Sequence, residues 1–167
     1  MHKNISIARG GFSLVEVAVA TAIVGMGVTA LMVALAAGTR TNHAGQELTQ
    51  AVFLAQEIRE WTLNLPFSDP DPADANNPPG PDSTSPQIFV DDLDDLLDVT
   101  YDPPRDGRGV SIAGMDGWSQ TIHLTWRNPS NLTSIVTNGA SDAIYVEVEI
   151  AHYGQAVLST AWLVTRR

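Results

Sequence analysis

Cysteine is missing from this chain of 167 residues, so no disulfide bond can cross-link any part of it. Any domain that the chain forms must therefore be held together by its buried core alone. The length leaves room for one long helix and one small domain.

Basic residues are also scarce. Nine lysines and arginines stand against 19 aspartates and glutamates, which gives a formal net charge of −10. Binding to a nucleic acid backbone depends on clustered lysine and arginine side chains that neutralise phosphates. The charge balance argues against such a role, and we expect no nucleic acid partner.

Sequence signatures of catalytic and cofactor sites are absent as well. The chain has no HExxH, GxSxG, P-loop or GxGxxG pattern. None of its histidines has the spacing of a metal ligand, and these are His2, His43, His123 and His152. We therefore predict a protein that is not an enzyme, with no catalytic residue, no metal ligand and no cofactor.

Proline does not occur before Pro66, so nothing interrupts a helix from Phe12 to Leu65. The first half of that helix, Phe12 to Ala37, has 26 residues and one charged side chain, Glu16. An apolar helix of about 20 residues spans the hydrocarbon core of a bilayer. The sequence therefore predicts one transmembrane segment over residues 12–37.

The residues before this segment predict its orientation. His2, Lys3 and Arg9 precede it, and no acidic residue occurs before Glu16. Basic flanks stay in the cytoplasm, so the rest of the chain is expected on the other side of the membrane. A carboxylate within a membrane costs about 2.5–3.5 kcal/mol on insertion scales, which marks Glu16 as a functional residue.

A nine-residue motif lies at this boundary: Arg9-Gly10-Gly11-Phe12-Ser13-Leu14-Val15-Glu16-Val17. It resembles the class III signal peptide of type IV prepilins and type II secretion pseudopilins. The resemblance implies that residues 1–11 are a leader, which a membrane peptidase removes between Gly11 and Phe12. It also implies N-methylation of Phe12 and an assembly role for Glu16.

The same resemblance implies a function and a location. The expected function is that of a structural subunit of a type IV pilus-like or pseudopilus filament, and Ile23–Leu31 resembles minor rather than major subunits. The expected partners are prepilin peptidase, other pilin or pseudopilin subunits and an inner-membrane assembly platform. The chain would be a single-pass protein of the bacterial inner membrane, with its C-terminal domain outside the cytoplasm, before it enters the pilus or pseudopilus.

Two features differ from the common pattern of that family. Many pilins close a C-terminal loop with a disulfide bond, and major pilins usually carry a proline within the apolar segment. This chain has neither a cysteine nor a proline at those places.

The second half of the helix is amphipathic. An apolar stripe with helical spacing is expected to pack on a sheet, and it consists of Leu48, Val52, Ala55, Ile58 and Leu65, flanked by Ala51 and Trp61. The opposite side is expected to carry Glu47, Gln50, Glu57 and Glu60.

Residues 66–87 contain seven of the ten prolines, with aspartates and asparagines between them. Such a segment has little apolar surface to bury, so we predict a solvated loop. Its aspartates also suggest a calcium site. Counted from Asp69, however, the fifth position is Ala73 and the sixth is Asp74, which does not fit an EF-hand.

Residues 88–167 are predicted to form a β-rich domain. Alternating or β-rich runs predict strands at residues 88–90, 118–127, 132–137, 144–151 and 156–165. Asn138-Gly139 predicts a hairpin, and residues 91–98 predict a helical turn whose five aspartates form a solvated edge or a docking patch. The predicted fold class is α+β, with a long N-terminal helix on a small antiparallel sheet of three or four strands, as in the pilin-like roll.

Two other functions remain open at this point. A secreted binding domain would be released at the A-x-A-like site Ala34-Leu35-Ala36, although the apolar run is too long for a secretory leader. A membrane-anchored binding domain would instead keep its span and never polymerise.

Overall fold

The computed structural model of the chain describes residues 11–71, 77–82 and 89–166. The remaining parts lie outside this description, namely residues 1–10 of the expected leader, residues 72–76 and 83–88 around the expected loop, and Arg167. The chain divides into two compact units between Gly45 and Gln46.

One long helix, α1, runs from Leu14 to Asn64 and has 51 residues. The helix predicted from Phe12 to Leu65 is thus confirmed to within two residues at each end. Threonine hydroxyls in the first unit each donate to the carbonyl four residues earlier, at 2.8–3.1 Å, and they belong to Thr21, Thr29, Thr39 and Thr41. These polar groups are therefore paired within the helix, as an apolar surrounding requires.

Within the described residues, five strands form one antiparallel sheet in the second unit. They are β1 (Val99–Tyr101), β2 (Trp118–Asn128), β3 (Asn131–Ile135), β4 (Ala143–His152) and β5 (Gln155–Thr165). The order across the sheet is β1-β2-β4-β5, and β3 pairs with the end of β2. With the second half of α1 packed on this sheet, the predicted α+β fold class is confirmed.

Most of the core side chains that the sheet contributes come from the inner face of β2 and β4. Alternate residues of each strand point to this face, as the sequence pattern predicted. The register places Ile122 opposite Val148 and Leu124 opposite Val146, so the apolar side chains of the two strands pack side by side. Burial of this apolar surface against α1 is the main force that stabilises the domain.

The face of α1 that packs on the sheet matches the predicted stripe at Ala55 and Ile58 but not at its first two residues. Leu48 and Val52 are exposed, with 48% and 43% of their surface accessible. The buried residues of the helix are Ala51, Leu54, Ala55, Ile58, Trp61 and Thr62. This set has the same helical spacing as the predicted stripe and includes two alanines, which let the helix approach the sheet closely.

The side of α1 predicted to face solvent does so at Glu60, which is exposed, but other residues of that side contact the rest of the domain. Glu57 accepts a hydrogen bond from the backbone N–H of Gly107 at 2.7 Å. Gln50 donates to the sulfur of Met115 at 3.4 Å. Polar residues next to the apolar face therefore attach the helix to the loops around the sheet, which helical periodicity alone does not show.

The strand connections also differ from a simple meander. The hairpin predicted at Asn138-Gly139 does not form, because the described partner of β3 is β2, and β4 pairs with the remainder of β2. The predicted strand at residues 88–90 is wrong for Phe89 and Val90, which lie in no strand, and Ile88 lies outside the description. The turn predicted after β4 is confirmed, with Tyr153 and Gly154 at positive φ angles of 48° and 74°.

Gln120 is a polar residue on the apolar face of β2, and it is fully buried. Its side-chain oxygen accepts the N–H of Arg105 at 2.7 Å. Its side-chain nitrogen donates to the carbonyl of Leu54 at 3.0 Å and to that of Arg105 at 3.1 Å. One carboxamide therefore joins the sheet, the helix and the loop that follows β1.

We predict that Gln120→Leu lowers the free energy of unfolding by about 1–3 kcal/mol, because the Arg105 N–H is left buried without its acceptor. Denaturant unfolding of the full chain in detergent, followed by near-ultraviolet circular dichroism, measures this loss. Gln155→Leu is the matched control, since Gln155 is exposed at the start of β5. An equal effect of both variants would contradict the role given to Gln120.

Candidate processing and assembly segment

The residues of the expected cleavage junction lie just before the start of α1. Ser13 precedes the first helical residue, and its hydroxyl oxygen accepts the N–H of Glu16 at 3.2 Å. Its carbonyl accepts the N–H of Val17 at 3.2 Å, which is the first hydrogen bond of the helix. Ser13 is therefore the N-cap residue, and Phe12 lies outside the helix with 84% of its surface exposed.

Sequence reasoning missed this cap, although the signal is present. A serine followed three residues later by a glutamate, before an apolar run, is the signature of a capping box. Ser13 and Glu16 have this spacing. The motif that resembles a cleavage signal thus also defines where the helix begins.

Glu16 is the third residue of α1, so its negative charge lies in the first helical turn. The unpaired N–H groups at this end of a helix attract anions. The Glu16 side chain is exposed, and within the described residues it has no ion-pair partner. Its carboxylate is therefore open to a group from another molecule.

The surface around Glu16 is otherwise apolar. Beside it on one face of the helix is an open groove formed by Phe12, Val17, Ala20, Thr21 and Val24. Large apolar side chains stay exposed along the whole first half of α1, from Leu14 to Leu35. Among the described residues nothing covers that surface, and an exposed apolar surface of this extent is typical of a segment that contacts lipid or other proteins.

The described chain contains one helix that is long and apolar enough to cross a membrane, and it is α1. The most apolar part lies near the N-terminus and is not buried in the domain. This agrees with a single-pass anchor as far as length and composition go.

Two of the five aspartates of residues 91–98, for which the sequence predicted a solvated edge or a docking patch, are not on the surface of the domain. Asp92 and Asp95 are buried, at 3% and 1% exposure. Asp95 accepts backbone N–H groups of Asp82, Asp91 and Asp92 at 2.9–3.4 Å. These carboxylates therefore hold the backbone around a short 3₁₀ turn, and the described part of the proline-rich loop is attached to them.

Three carboxylates also converge beside this turn. One oxygen each from Asp69, Asp82 and Asp91 lies within 4.8 Å of the others. Burial raises the pKa of Asp91, and the charges of Asp95, Asp69 and Asp82 raise it further. The sequence did not reveal this group because its members come from separate segments, and grouped acidic residues are common without a bound ion.

The two histidines of the sheet pair with carboxylates. His123 on the outer face of β2 lies 2.7 Å from Asp98. His152 at the end of β4 lies 3.0 Å from Glu47 of α1, and its ring stacks on Trp118 at 4.3 Å. Both pairs connect separate elements of the domain, and His2 lies outside the described residues.

Asp92 provides a test of the buried acidic turn. Burial and the neighbouring charge of Asp94 raise the pKa of Asp92 to about 7, above its ordinary value of 3.8. A carboxyl with a raised pKa in the folded state favours folding while protonated, and this contribution is lost as pH rises from about 4 to about 7.

The free energy of unfolding of the unmodified chain should fall between pH 5 and pH 8, because Asp92 loses its proton in this range. We predict that Asp92→Asn, which has no proton to lose, makes this fall smaller by at least about 1 kcal/mol. The asparagine oxygen still accepts the N–H groups of Asp94 and Asp95 that Asp92 accepts now. Denaturant titrations of the full chain at several pH values measure the effect, with exposed Asp116→Asn as control. An unchanged pH dependence in Asp92→Asn would contradict this account.

Comparisons of this chain with known protein families, with curated proteins and with solved structures find no match. The functional argument therefore depends on the residues and geometry described above.

Proposed function

We propose that this chain is a structural subunit, of the minor kind, in a type IV pilus-like or type II secretion pseudopilus filament. The observation that carries the proposal is Glu16, an exposed carboxylate and the one charged side chain of residues 12–37, in the first turn of a helix that begins at Leu14, just after the Gly11-Phe12 junction. A charge within an apolar segment is unfavourable in lipid. A secreted or anchored binding domain would gain nothing from such a charge, whereas a filament subunit would use it in assembly.

The geometry supports a role for cleavage in assembly. Removal of residues 1–11 would create a positively charged amine at Phe12. Because Phe12 precedes the N-cap residue Ser13, this amine would extend beyond the helix rather than belong to its hydrogen bonds. It could then reach the Glu16 carboxylate of a neighbouring subunit while the apolar faces of the two helices pack together.

This ion pair would set the position of one subunit along the next. Opposite charges about 4 Å apart attract by about 4 kcal/mol at an effective dielectric constant of 20. Loss of hydration offsets much of that attraction. The pair therefore specifies the register of the helices more than it adds to their affinity, and the affinity comes from the apolar surface between Leu14 and Leu35.

The remaining expectations belong to the same proposal. Prepilin peptidase would act at the cytoplasmic side of the membrane, where Lys3 and Arg9 hold the N-terminus. The domain of residues 46–167 would lie outside the cytoplasm. Assembly would involve sibling subunits and an inner-membrane platform, and the chain itself would catalyse no reaction.

We predict that intact-mass analysis of the protein from its native membrane gives an N-terminus at Phe12 that carries one methyl group. Gly11→Val should leave the precursor uncut, since glycine gives a peptidase close access to the backbone. A Cβ at Gly11 meets no atom within 4 Å, so the described fold does not oppose this substitution, and Gly38→Val is a control with equal space.

Other masses would contradict the proposal. An N-terminus at Ala37 would indicate a secreted domain, and an N-terminus at Met1 would indicate an anchor that is never processed. Normal cleavage of Gly11→Val would remove the assignment of the junction.

We predict that Glu16→Gln and Glu16→Ala are cleaved normally but are recovered with the other subunits in sheared filaments in sharply lower amounts. Both remove the charge, and Gln keeps the size and the hydrogen-bonding oxygen of the side chain. Glu16→Asp, which keeps the charge on a shorter side chain, should retain part of the incorporation. Unchanged incorporation of the Gln and Ala variants would exclude an assembly role for Glu16.

A further inference from the structure

The strand β5 forms one end of the sheet. It has 11 residues and pairs with β4 on one side, and its other side makes no backbone hydrogen bond with any described residue. None of its residues is charged, and none is proline. Edge strands in natural proteins are usually short or protected by charged residues or proline, because their open N–H and C=O groups pair with other chains. An unprotected edge of this length indicates an interaction surface.

The register of the sheet shows which backbone groups of β5 point to its open side. The N–H of Arg166 donates to the carbonyl of Asp142 at 3.0 Å, and the pairing with β4 continues without a shift over residues 158–165. Because successive residues of a strand direct their backbone groups to opposite sides, the even-numbered residues of this range bond to β4. The N–H and C=O groups that point away from β4 therefore include those of Ser159, Ala161 and Leu163.

A groove runs between this edge and α1. It has a volume of about 340 Å³ and is lined by Val52, Ala55, Gln56 and Arg59 of the helix and by residues 158–162 of β5. The even-numbered residues of β5 face the groove, since the register puts them beside the buried, inner-face residues of β4. A further strand placed beside β5 would direct every second side chain into this groove.

Arg59 is the charged residue that lines this groove. Its side chain is exposed, and among the described residues no carboxylate forms an ion pair with it. The other described arginines of the domain contact a carboxylate or an aromatic ring, and they are Arg105, Arg108, Arg127 and Arg166. In a chain with a net charge of −10, an arginine without such a contact beside an open strand edge favours a partner with a carboxylate.

The outer face beside the same edge is negatively charged. Glu147 and Glu149 of β4 are exposed, and they lie opposite Ala161 and Ser159 of β5. Glu147 accepts the Ser159 hydroxyl at 3.4 Å, and neither glutamate forms an ion pair within the described residues. Because the two β5 side chains are small, a long basic side chain from a strand beyond β5 can extend over them to these carboxylates.

We propose that the β5 edge binds an extended segment of another protein, which joins the sheet as an antiparallel strand. This segment has an acidic side chain toward Arg59 on the inner face and basic side chains toward Glu147 and Glu149 on the outer face. The β5 edge of a second copy lacks this chemistry, because it has no charged residue. The contact requires neither cleavage at Gly11 nor a filament, so its test is independent of the proposed function.

A designed strand attached to the full chain tests this site, because attachment gives the strand a high effective concentration. It follows Arg167 through a glycine-rich turn, so that it can fold back antiparallel to β5. The strand has a glutamate opposite Thr160, lysines opposite Ser159 and Ala161, and valine at its other inner-face positions. The matched control is a charge-reversed strand, with lysine on the inner face and glutamates on the outer face.

Hydrogen exchange of single backbone amides in detergent measures the pairing. Without an added strand, the outward amides of β5 should exchange several-fold faster than the inward amides that bond to β4. The designed strand should slow the outward amides to about the rate of the inward ones, and the charge-reversed strand should slow them several-fold less. The amides of the outward set are those of Ser159, Ala161 and Leu163, and the inward set is Leu158, Thr160 and Trp162.

Three results of this measurement would overturn the proposal. Slow exchange of the outward amides without an added strand, at every protein concentration, would show that the chain covers its own edge. Slow exchange only at high protein concentration would show that two β5 edges pair with each other. Outward amides that exchange equally fast with and without the designed strand would show that the edge accepts no further strand.

Charge reversal tests the inner-face contact. Arg59→Glu should remove most of the protection that the designed strand gives, and lysine in place of the strand's glutamate should restore it. Arg108→Glu makes the same charge change away from the groove and should leave the protection unchanged. Protection that is insensitive to Arg59→Glu would contradict the acidic side chain assigned to the partner.

Binding of a separate molecule is tested with the designed strand as a free fluorescent peptide. Fluorescence anisotropy should show that it binds the chain without an added strand. The form with the attached strand has its edge occupied, so it should bind the peptide at least several-fold more weakly. Equal binding to both forms would mean that the peptide binds elsewhere and would overturn the proposal, as would no binding to either form.

Discussion

The packing of one face of α1 on the inner face of β2 and β4 is the interaction on which the domain depends. Ala51, Leu54, Ile58 and Trp61 bury their side chains there, and no disulfide bond supplements that burial. The same helix leaves the apolar side chains of its first half exposed. One helix therefore carries two apolar surfaces. The surface on its second half is buried against the sheet of the same chain, and the surface on its first half is exposed among the described residues.

Buried polar side chains determine how the loops attach to this core. Gln120 links the sheet to the helix and to the loop after β1. Asp95 holds three backbone N–H groups around the 3₁₀ turn, and the Trp162 indole N–H donates to Thr62 at 3.2 Å. Each such group would be costly without its partner, so together they favour one arrangement of the loops over others.

Much of this fold follows from the sequence, and the exceptions have physical causes. The helix and the inner face of β2 and β4 follow directly from periodicity. The choice of which helix face packs on the sheet does not follow from periodicity. Leu48 and Ala51 both fit a helical stripe, and only contact with the sheet determines which of them is buried. The pairing of β3 with β2, and the convergence of Asp69, Asp82 and Asp91, depend on contacts between distant segments. In the candidate processing and assembly segment, the Ser13 cap could have been predicted from the sequence, whereas the open surroundings of Glu16 required the structure.

The distribution of tryptophan has a practical consequence for spectroscopy. All four tryptophans of the chain belong to the second unit, where Trp61, Trp118 and Trp126 are buried in the core and Trp162 is partly covered. The apolar half of α1 has none. Intrinsic tryptophan fluorescence of the intact protein therefore reports on the domain without any emission from this apolar segment. A single tryptophan introduced into that segment could be observed separately once those of the domain are replaced.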